Sequence, residues 1–135
     1  MIYNTTGPGG LGQFSVAAGS TLKLRAYDPD AMNGTGVADF ENILFWQSAS
    51  PVPTAAHEQP IVKLNGGGNV DIRGTVYAPS AKVEMGGNSG GSGGDTVNLT
   101  LQFIAWDIEF RGNVNFTFFF NDDEFARPLD YGLVE

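Results

Sequence analysis

The chain contains 135 residues, a length typical of one domain and sufficient for a hydrophobic core without cross-links. It has no cysteine and one histidine, which excludes disulfides, thiolate nucleophiles, Cys-ligated zinc and multi-histidine metal sites. The 7 basic and 15 acidic residues give a formal net charge of −8, so the chain would repel a nucleic-acid backbone.

The composition is that of a β-rich protein. Glycine occurs 19 times and charged residues make up only 16% of the chain, against about 25% in average soluble domains. No apolar run reaches the ~20 residues of a membrane span, and the N-terminus lacks a signal-peptide pattern. Either the protein is cytosolic or the chain is part of a longer exported protein, and the composition favours the second.

In chain order, the sequence predicts one β domain with three parts. Residues 1–20 are rich in Gly, Thr and Ser and predict a loose lead-in. Residues 21–120 form the predicted β core, and residues 121–135 form an acidic tail. Within the core, alternation over 22–26 predicts a half-buried strand. The apolar run over 43–46 predicts a strand buried on both faces.

Glycine–asparagine pairs mark a repeat in the second half of the chain. They stand at Gly68-Asn69, Gly87-Asn88 and Gly112-Asn113, and the second step is longer than the first because it contains a Gly/Ser-rich tract over 88–95. Short alternating strands separated by such corners, with a period of roughly twenty residues, predict a short right-handed parallel β-solenoid. The alternative is an antiparallel β-sandwich or jelly roll, whose turn signals also recur at short intervals.

The alternation also assigns residues to faces. We expect Val83, Ile108 and Phe116 in the interior. Their sequence neighbours on the opposite face are expected in solvent: Glu84, Glu109 and Asn115. The segments Gly68–Ile72 and Gly112–Phe116 are self-similar and predict equivalent positions in different coils.

Several segments occur in an order that is found in one class of envelope proteins. They are Glu41–Gln47, Gly74–Ala81, Gly86–Asn88, Ile104–Ala105, Phe110–Asn113 and Tyr131–Val134. In this order they resemble the C-terminal region of TadG-like proteins of the Tad/Flp pilus-assembly class and related bacterial envelope proteins. The chain departs from that pattern by lacking the cysteines of some relatives and by a long acidic segment over 28–42.

The resemblance implies an envelope-exposed β domain, tethered in the full-length protein by an N-terminal membrane helix. It implies an extracellular or cell-envelope location, with other envelope or pilus proteins as partners and surface polysaccharide as a further candidate. It implies no enzymatic activity, so no catalytic residue is carried over.

Acidic clusters are the first candidate sites. Asp28, Asp30, Asn33 and Asp39 offer oxygen ligands of the kind that calcium accepts, but without the spacing of an EF-hand. We interpret them as a solvated loop. The tail cluster is interpreted as a solvated face or as a terminus that blocks edge pairing, with docking of a basic partner as the alternative. Its members are Asp122, Asp123, Glu124, Asp130 and Glu135.

Catalysis would have to rest on carboxylates. Glycoside chemistry needs two of them ~5–9.5 Å apart, and Asp107 and Glu109 share one strand face at about 7 Å. Asp71 and Glu84 are the other candidates. Outward carboxylates on a strand usually serve solubility, so we expect no catalytic, cofactor-binding or metal-binding residues.

The remaining motifs have structural interpretations. His57 lies in a proline-rich segment and is interpreted as an exposed imidazole. The segment Gly90–Gly94 lacks the lysine of a phosphate-binding loop. Aromatic residues could form a sugar-stacking platform, but most have inward parity and are expected in the core, with Phe119 out of parity. The set is Trp46, Tyr77, Phe103, Trp106, Phe116, Phe118, Phe119 and Phe120.

Together these observations predict a non-catalytic structural or adhesive domain of a bacterial cell-surface or pilus-associated protein. A carbohydrate-binding or carbohydrate-cleaving β-helix module is the alternative, by analogy of fold alone.

Overall fold

The computed structural model describes residues 1–5, 12–28, 40–48, 61–65, 70–86, 97–112 and 117–126. These residues form eight strands and include a short 3₁₀ helix at Asp122–Glu124. The predicted all-β class is confirmed. The strands are β1 (Ile2–Asn4), β2 (Phe14–Val16), β3 (Leu22–Arg25), β4 (Ile43–Gln47), β5 (Ile61–Asn65), β6 (Val70–Gly86), β7 (Val97–Arg111) and β8 (Thr117–Phe118).

Every strand pairing in the described part of the chain is parallel. The 17-residue strand β6 is the centre of the sheet. Along one edge it pairs with β3, then β4, then β5, and along the other edge it pairs with β7. Strands β1 and β2 extend the sheet beyond β4 and β5, and β8 extends it beyond β7. The result is a curled parallel sheet.

The pairings define three tracks, each four strands deep. The first track runs β3–β6–β7–β8, the second β1–β4–β6–β7, and the third β2–β5–β6–β7. Because directly paired residues of neighbouring strands share a face of the sheet, each track stacks equivalent residues. In the first track, for example, Leu24, Ile72, Leu99 and Phe118 lie side by side.

Alternating apolar residues turn these tracks into a core. In β6 the apolar residues at alternate positions are buried, as predicted, because strands cover both of its edges. The buried core side chains come from five of the strands. They are Val16, Ile43, Leu44, Phe45, Val62, Leu64, Val70, Ile72, Val76, Ala78, Ala81, Val83, Met85, Leu99 and Leu101.

Backbone irregularities stand in β6 where one track passes into the next. Gly74 has a φ of 123°, and a Cβ there would collide with the Ala26 side chain and lie 3.1 Å from the carbonyl oxygen of Asn42. Only glycine permits both this backbone conformation and this close approach. The pairing of β6 with β7 shifts register between Ala78 and Lys82, and such irregularities bend a strand.

The structure differs from the predicted repeat in its spacing. Val70 lies opposite Val97, and Asn98 lies opposite Thr117, so the step from β6 to β7 is longer than the step from β7 to β8. Asp71 pairs with Asn98, and Asn98 pairs with Thr117, so Asp71 and Thr117 occupy equivalent positions. The predicted equivalent of Asp71 is Asn115, two positions earlier. A shift of two preserves the face of each residue. The lead-in predicted as loose also contains β1 and β2.

Two residues lie on the predicted face but do not have the predicted burial. Ile108 is 40% exposed although it pairs with the buried Val83, because no described strand covers that part of β7 on its far side. Glu84 is buried instead of exposed, because Lys63 and Arg111 lie over it from the two neighbouring strands. Phe116 and Asn115 lie outside the described residues.

The aromatic residues near the C-terminus also differ from expectation. The alternation predicts Phe118 and Phe120 in the core, but they are 46% and 83% exposed. Strand β8 ends at Phe118, so Phe120 has no place in the ladder. Trp106 is 55% exposed and stands at the register shift of β7.

Two isoleucines on one face test this layer structure. Ile72 lies inside the stack and is 2% exposed, whereas Ile108 lies in the last layer. We expect Ile72→Ala to lower the free energy of unfolding by about 2–5 kcal/mol. Ile108→Ala should cost less than about 1.5 kcal/mol, because a half-exposed side chain loses less burial and leaves no closed cavity. Urea titration of both variants measures the difference, and equal losses would contradict the layer assignment.

Candidate functional site: a charged face and an apolar end

The four carboxylates considered for catalysis all take part in ion pairs. On the outer face of the third track, Lys63, Glu84 and Glu109 stand in register on β5, β6 and β7. Lys63 Nζ lies 2.7 Å from Glu84 Oε1, and Arg111 Nε lies 3.8 Å from Glu84 Oε2. Lys82 pairs with Glu109 and, at 4.0 Å, with Asp107. We call this group the ion row.

Asp107 and Glu109 share a face, as predicted, because both reach the same lysine. Arg111 also donates two hydrogen bonds to Glu109, of 2.6 and 3.2 Å. These hydrogen bonds, followed by that of Lys82, lower the pKa of Glu109 from an ordinary 4.5 to about 2. A general acid of a glycosidase needs a raised pKa. The pKa of Glu109 is lowered, which is the opposite of what that role requires.

Asp71, the remaining candidate, accepts a 3.1 Å hydrogen bond from Arg73 Nε. That bond is the main cause of a raised pKa of Arg73, and Glu124 contributes further. This pair lies in the first track, away from the ion row along β6. The four candidate carboxylates are therefore divided between two ion-paired groups.

The ionisation of Glu109 makes the stability of the fold depend on pH in a testable way. Its pKa is lower in the folded than in the unfolded chain, so ionisation stabilises the fold above pH 4.5, and this contribution is lost as the pH falls from 4.5 towards 2. We expect Arg111→Ala to move the pKa of Glu109 upward, because the main hydrogen-bond donor is removed. An NMR titration of the carboxyl carbon measures it. Lys23→Ala is the control, and an unchanged Glu109 pKa in Arg111→Ala would contradict the assignment.

The acidic tail contacts the sheet at its corner, a feature that the sequence did not predict. Asn42 Nδ2 donates hydrogen bonds to the carbonyl oxygens of Asp123 and Phe125, at 2.8 and 3.4 Å. The backbone N–H of Ala126 donates to Thr75 Oγ1 at 2.8 Å. The segment 121–126 thus lies across β6 and the turn before β4, and these long-range contacts leave no local signal in the sequence.

A cleft of about 290 Å³ opens beside this segment. Its lining includes Arg25 and Arg73 together with acidic side chains, so it presents charges of both signs. No group of three or more His, Asp or Glu side chains in the described ranges is arranged to hold a metal ion. Asp28 is exposed at this cleft. Other candidate residues lie outside the described residues: Asp30, Asn33, Asp39, His57, Gly90–Gly94, Asp130 and Glu135.

Three apolar side chains in the last layer of the described strands are partly exposed. Ile108 and Phe110 pair with Val83 and Met85, and Phe118 pairs with Leu99, so all three belong to the core-facing side. They are nevertheless 40%, 58% and 46% exposed. Phe110 and Phe118 meet at a 6.4 Å centroid distance with perpendicular rings. We call Ile108, Phe110 and Phe118 the apolar end.

A second group of aromatic side chains lies on the outer side of the second track, with Tyr3 exposed and Trp46 and Tyr77 half-buried. Tyr3, Trp46 and Tyr77 stand in register on β1, β4 and β6. The Trp46 and Tyr77 ring centroids are 5.1 Å apart, and Phe40 contacts Trp46 edge-on at 5.6 Å. Tyr3 is 59% exposed. We call Tyr3, Trp46 and Tyr77 the aromatic row, which corrects the expectation that Trp46 and Tyr77 are core residues.

Comparison of the chain with protein-family models, with curated proteins and with solved structures found no match. Within the described residues, no helix is long and apolar enough to span a membrane.

Proposed function

We propose that this domain is a non-catalytic structural or adhesive domain of a bacterial cell-surface or pilus-associated protein. The apolar end is the observation that carries this proposal. Large side chains on the core-facing side of a sheet are normally covered, and exposed apolar groups of this kind mark interaction sites. A domain that works by contact has a use for such a surface.

We also propose that the curled sheet is a short right-handed β-solenoid. Its support is the in-register parallel pairing of successive passes of the chain, with the passes over β6 and β7 stacked along fourteen paired positions. The steps from Val70 to Val97 and from Asn98 to Thr117 are of the size that a solenoid coil needs. In a solenoid each coil contacts only the coils next to it. The outer side of a terminal coil must therefore be capped or bound by a partner.

The order of segments from Glu41–Gln47 to Phe110–Asn113 supports a relation to TadG-like envelope proteins. On that relation, the domain faces the outside of the cell within a longer, membrane-tethered protein, and its partners are other envelope or pilus proteins. The charged face fits this role, because outward ion pairs such as Lys63–Glu84 keep the sides of the stack polar.

The aromatic row favours a second candidate, a carbohydrate-binding module. Three aromatic side chains at successive strands follow one line on the outer face. Tyr3 is exposed and the other two are half-buried, and carbohydrate rings pack against accessible aromatic side chains. The ion row gives no comparable support to carbohydrate cleavage, because the lowered pKa of Glu109 keeps this candidate general acid ionised.

A panel of polysaccharides and peptidoglycan tests both candidates. We expect the purified domain and its Asp107→Asn/Glu109→Gln variant to release neither reducing ends nor unsaturated sugars. Release by the wild type alone would replace the contact role by a carbohydrate-cleaving one. Sedimentation with insoluble polysaccharide adds a binding measurement, and retention that Tyr3→Ala abolishes would favour the carbohydrate-binding candidate.

A further inference from the structure

We infer that the occupant of the apolar end is the first layer of a second copy of this chain, stacked head to tail. This inference rests on the proposed contact role and names its partner. It follows from the shapes of the two ends of the sheet, which the three tracks determine.

The two ends have complementary steps. Among the described strands, the second and third tracks end at β7 in the last layer, while the first track continues one strand further to β8. In the first layer of the described strands, the second and third tracks begin with β1 and β2, while the first track begins one strand later with β3. The projecting β8 of one copy therefore matches the recess above β3 of the next.

The side chains at the two ends also correspond. Continuing each track into a second copy places Phe14 of that copy beside Ile108, Val16 beside Phe110, and Leu24 beside Phe118. These first-layer residues belong to the core or pack against it. Phe14 and Leu24 are themselves only partly buried, so apolar surface is open on both sides of the contact.

The backbone supports the same contact. In the described part of the chain, β1, β2 and β3 each pair along one edge, and β7 beyond its contact with β8 also pairs along one edge. All of these strands run in the same direction within the stack. A second copy added without reversal therefore continues the parallel hydrogen-bond ladder, whereas a two-fold dimer would bring two like ends together.

The size and charge of the contact predict its strength. The apolar end exposes roughly 300 Å², given about 150–250 Å² for large side chains, which is below the ~800 Å² per partner of a stable interface. Association should therefore be weak and concentration-dependent. Because each copy carries a net charge of −8, salt that screens the repulsion should strengthen it. A head-to-tail contact does not close, so the products form an open series of oligomers.

One exposed residue reports the register of this contact. The third track places Ser15 of the second copy beside Glu109 of the first. Ser15→Lys creates an opposite-charge pair there, and Ser15→Glu creates a like-charge pair. Such exposed pairs change an equilibrium constant by about two- to fivefold. We expect Ser15→Lys to lower the dissociation constant and Ser15→Glu to raise it by that factor.

Sedimentation equilibrium over a range of protein and salt concentrations measures these constants for the wild type, both charge variants and a Ser15→Ala control. Phe110→Asp, at the opposite end, should remove association. Position 15 also lies beside Lys63 of its own chain, so the unfolding midpoint of each variant is measured in parallel. Oligomers that grow with concentration and respond to Ser15 in opposite directions support the stack.

Two results would overturn it. One is a wild type and a Ser15→Lys variant that stay monomeric at every concentration and salt. The other is association that does not distinguish Ser15→Lys from Ser15→Glu. If the domain is monomeric and also releases no product from polysaccharides, only the choice of partner fails and the contact role stands. Product release would instead remove the contact role itself.

Discussion

The structure depends on the in-register stacking of apolar side chains across parallel strands, and β6 is where that stacking is complete. All three tracks pass through β6, and both of its edges are paired over most of its length. Its alternate residues from Val70 to Met85 are almost fully buried as a consequence. Strands β3, β4, β5 and β7 pair with β6 directly, and β1, β2 and β8 are attached to the sheet through β4, β5 and β7. A substitution that disturbs the path of β6, at Gly74 for example, would disturb every track at once.

The same stacking explains where surface properties change. Along a track, burial falls from the centre to the ends, because an end layer has a neighbour on one side only. In the third track, Val83 is fully buried while Ile108 beside it is 40% exposed. On the outer face the corresponding series is ionic, and Glu84 is buried between Lys63 and Arg111 in the same way that Val83 is buried between its apolar neighbours. The core and the ion row are therefore formed by the two opposite faces of the same paired strands.

The all-β class and the buried face of β6 are predictable from the sequence, because alternation has a direct physical meaning in a strand covered on both edges. Alternation states which face a residue occupies but not how many strands lie above it, so it places Ile108, Phe110 and Phe118 in the core. The Gly–Asn marks predict a repeat but misplace the register of β8 by two positions, because loop lengths between passes vary freely. The contact of Asn42 with Asp123 joins distant parts of the chain, and no local pattern encodes it.

The central claim is that successive passes of the chain stack in parallel register, and one track tests it directly. Nuclear Overhauser contacts in a sample with labelled Leu, Ile and Phe side chains should connect Leu24 to Ile72, Ile72 to Leu99, and Leu99 to Phe118 in an unbroken series. The amide and α-proton contacts between β6 and β7 should advance together, so that later residues of one strand meet later residues of the other. Contacts in which later residues of β6 meet earlier residues of β7 would show an antiparallel arrangement and contradict the account.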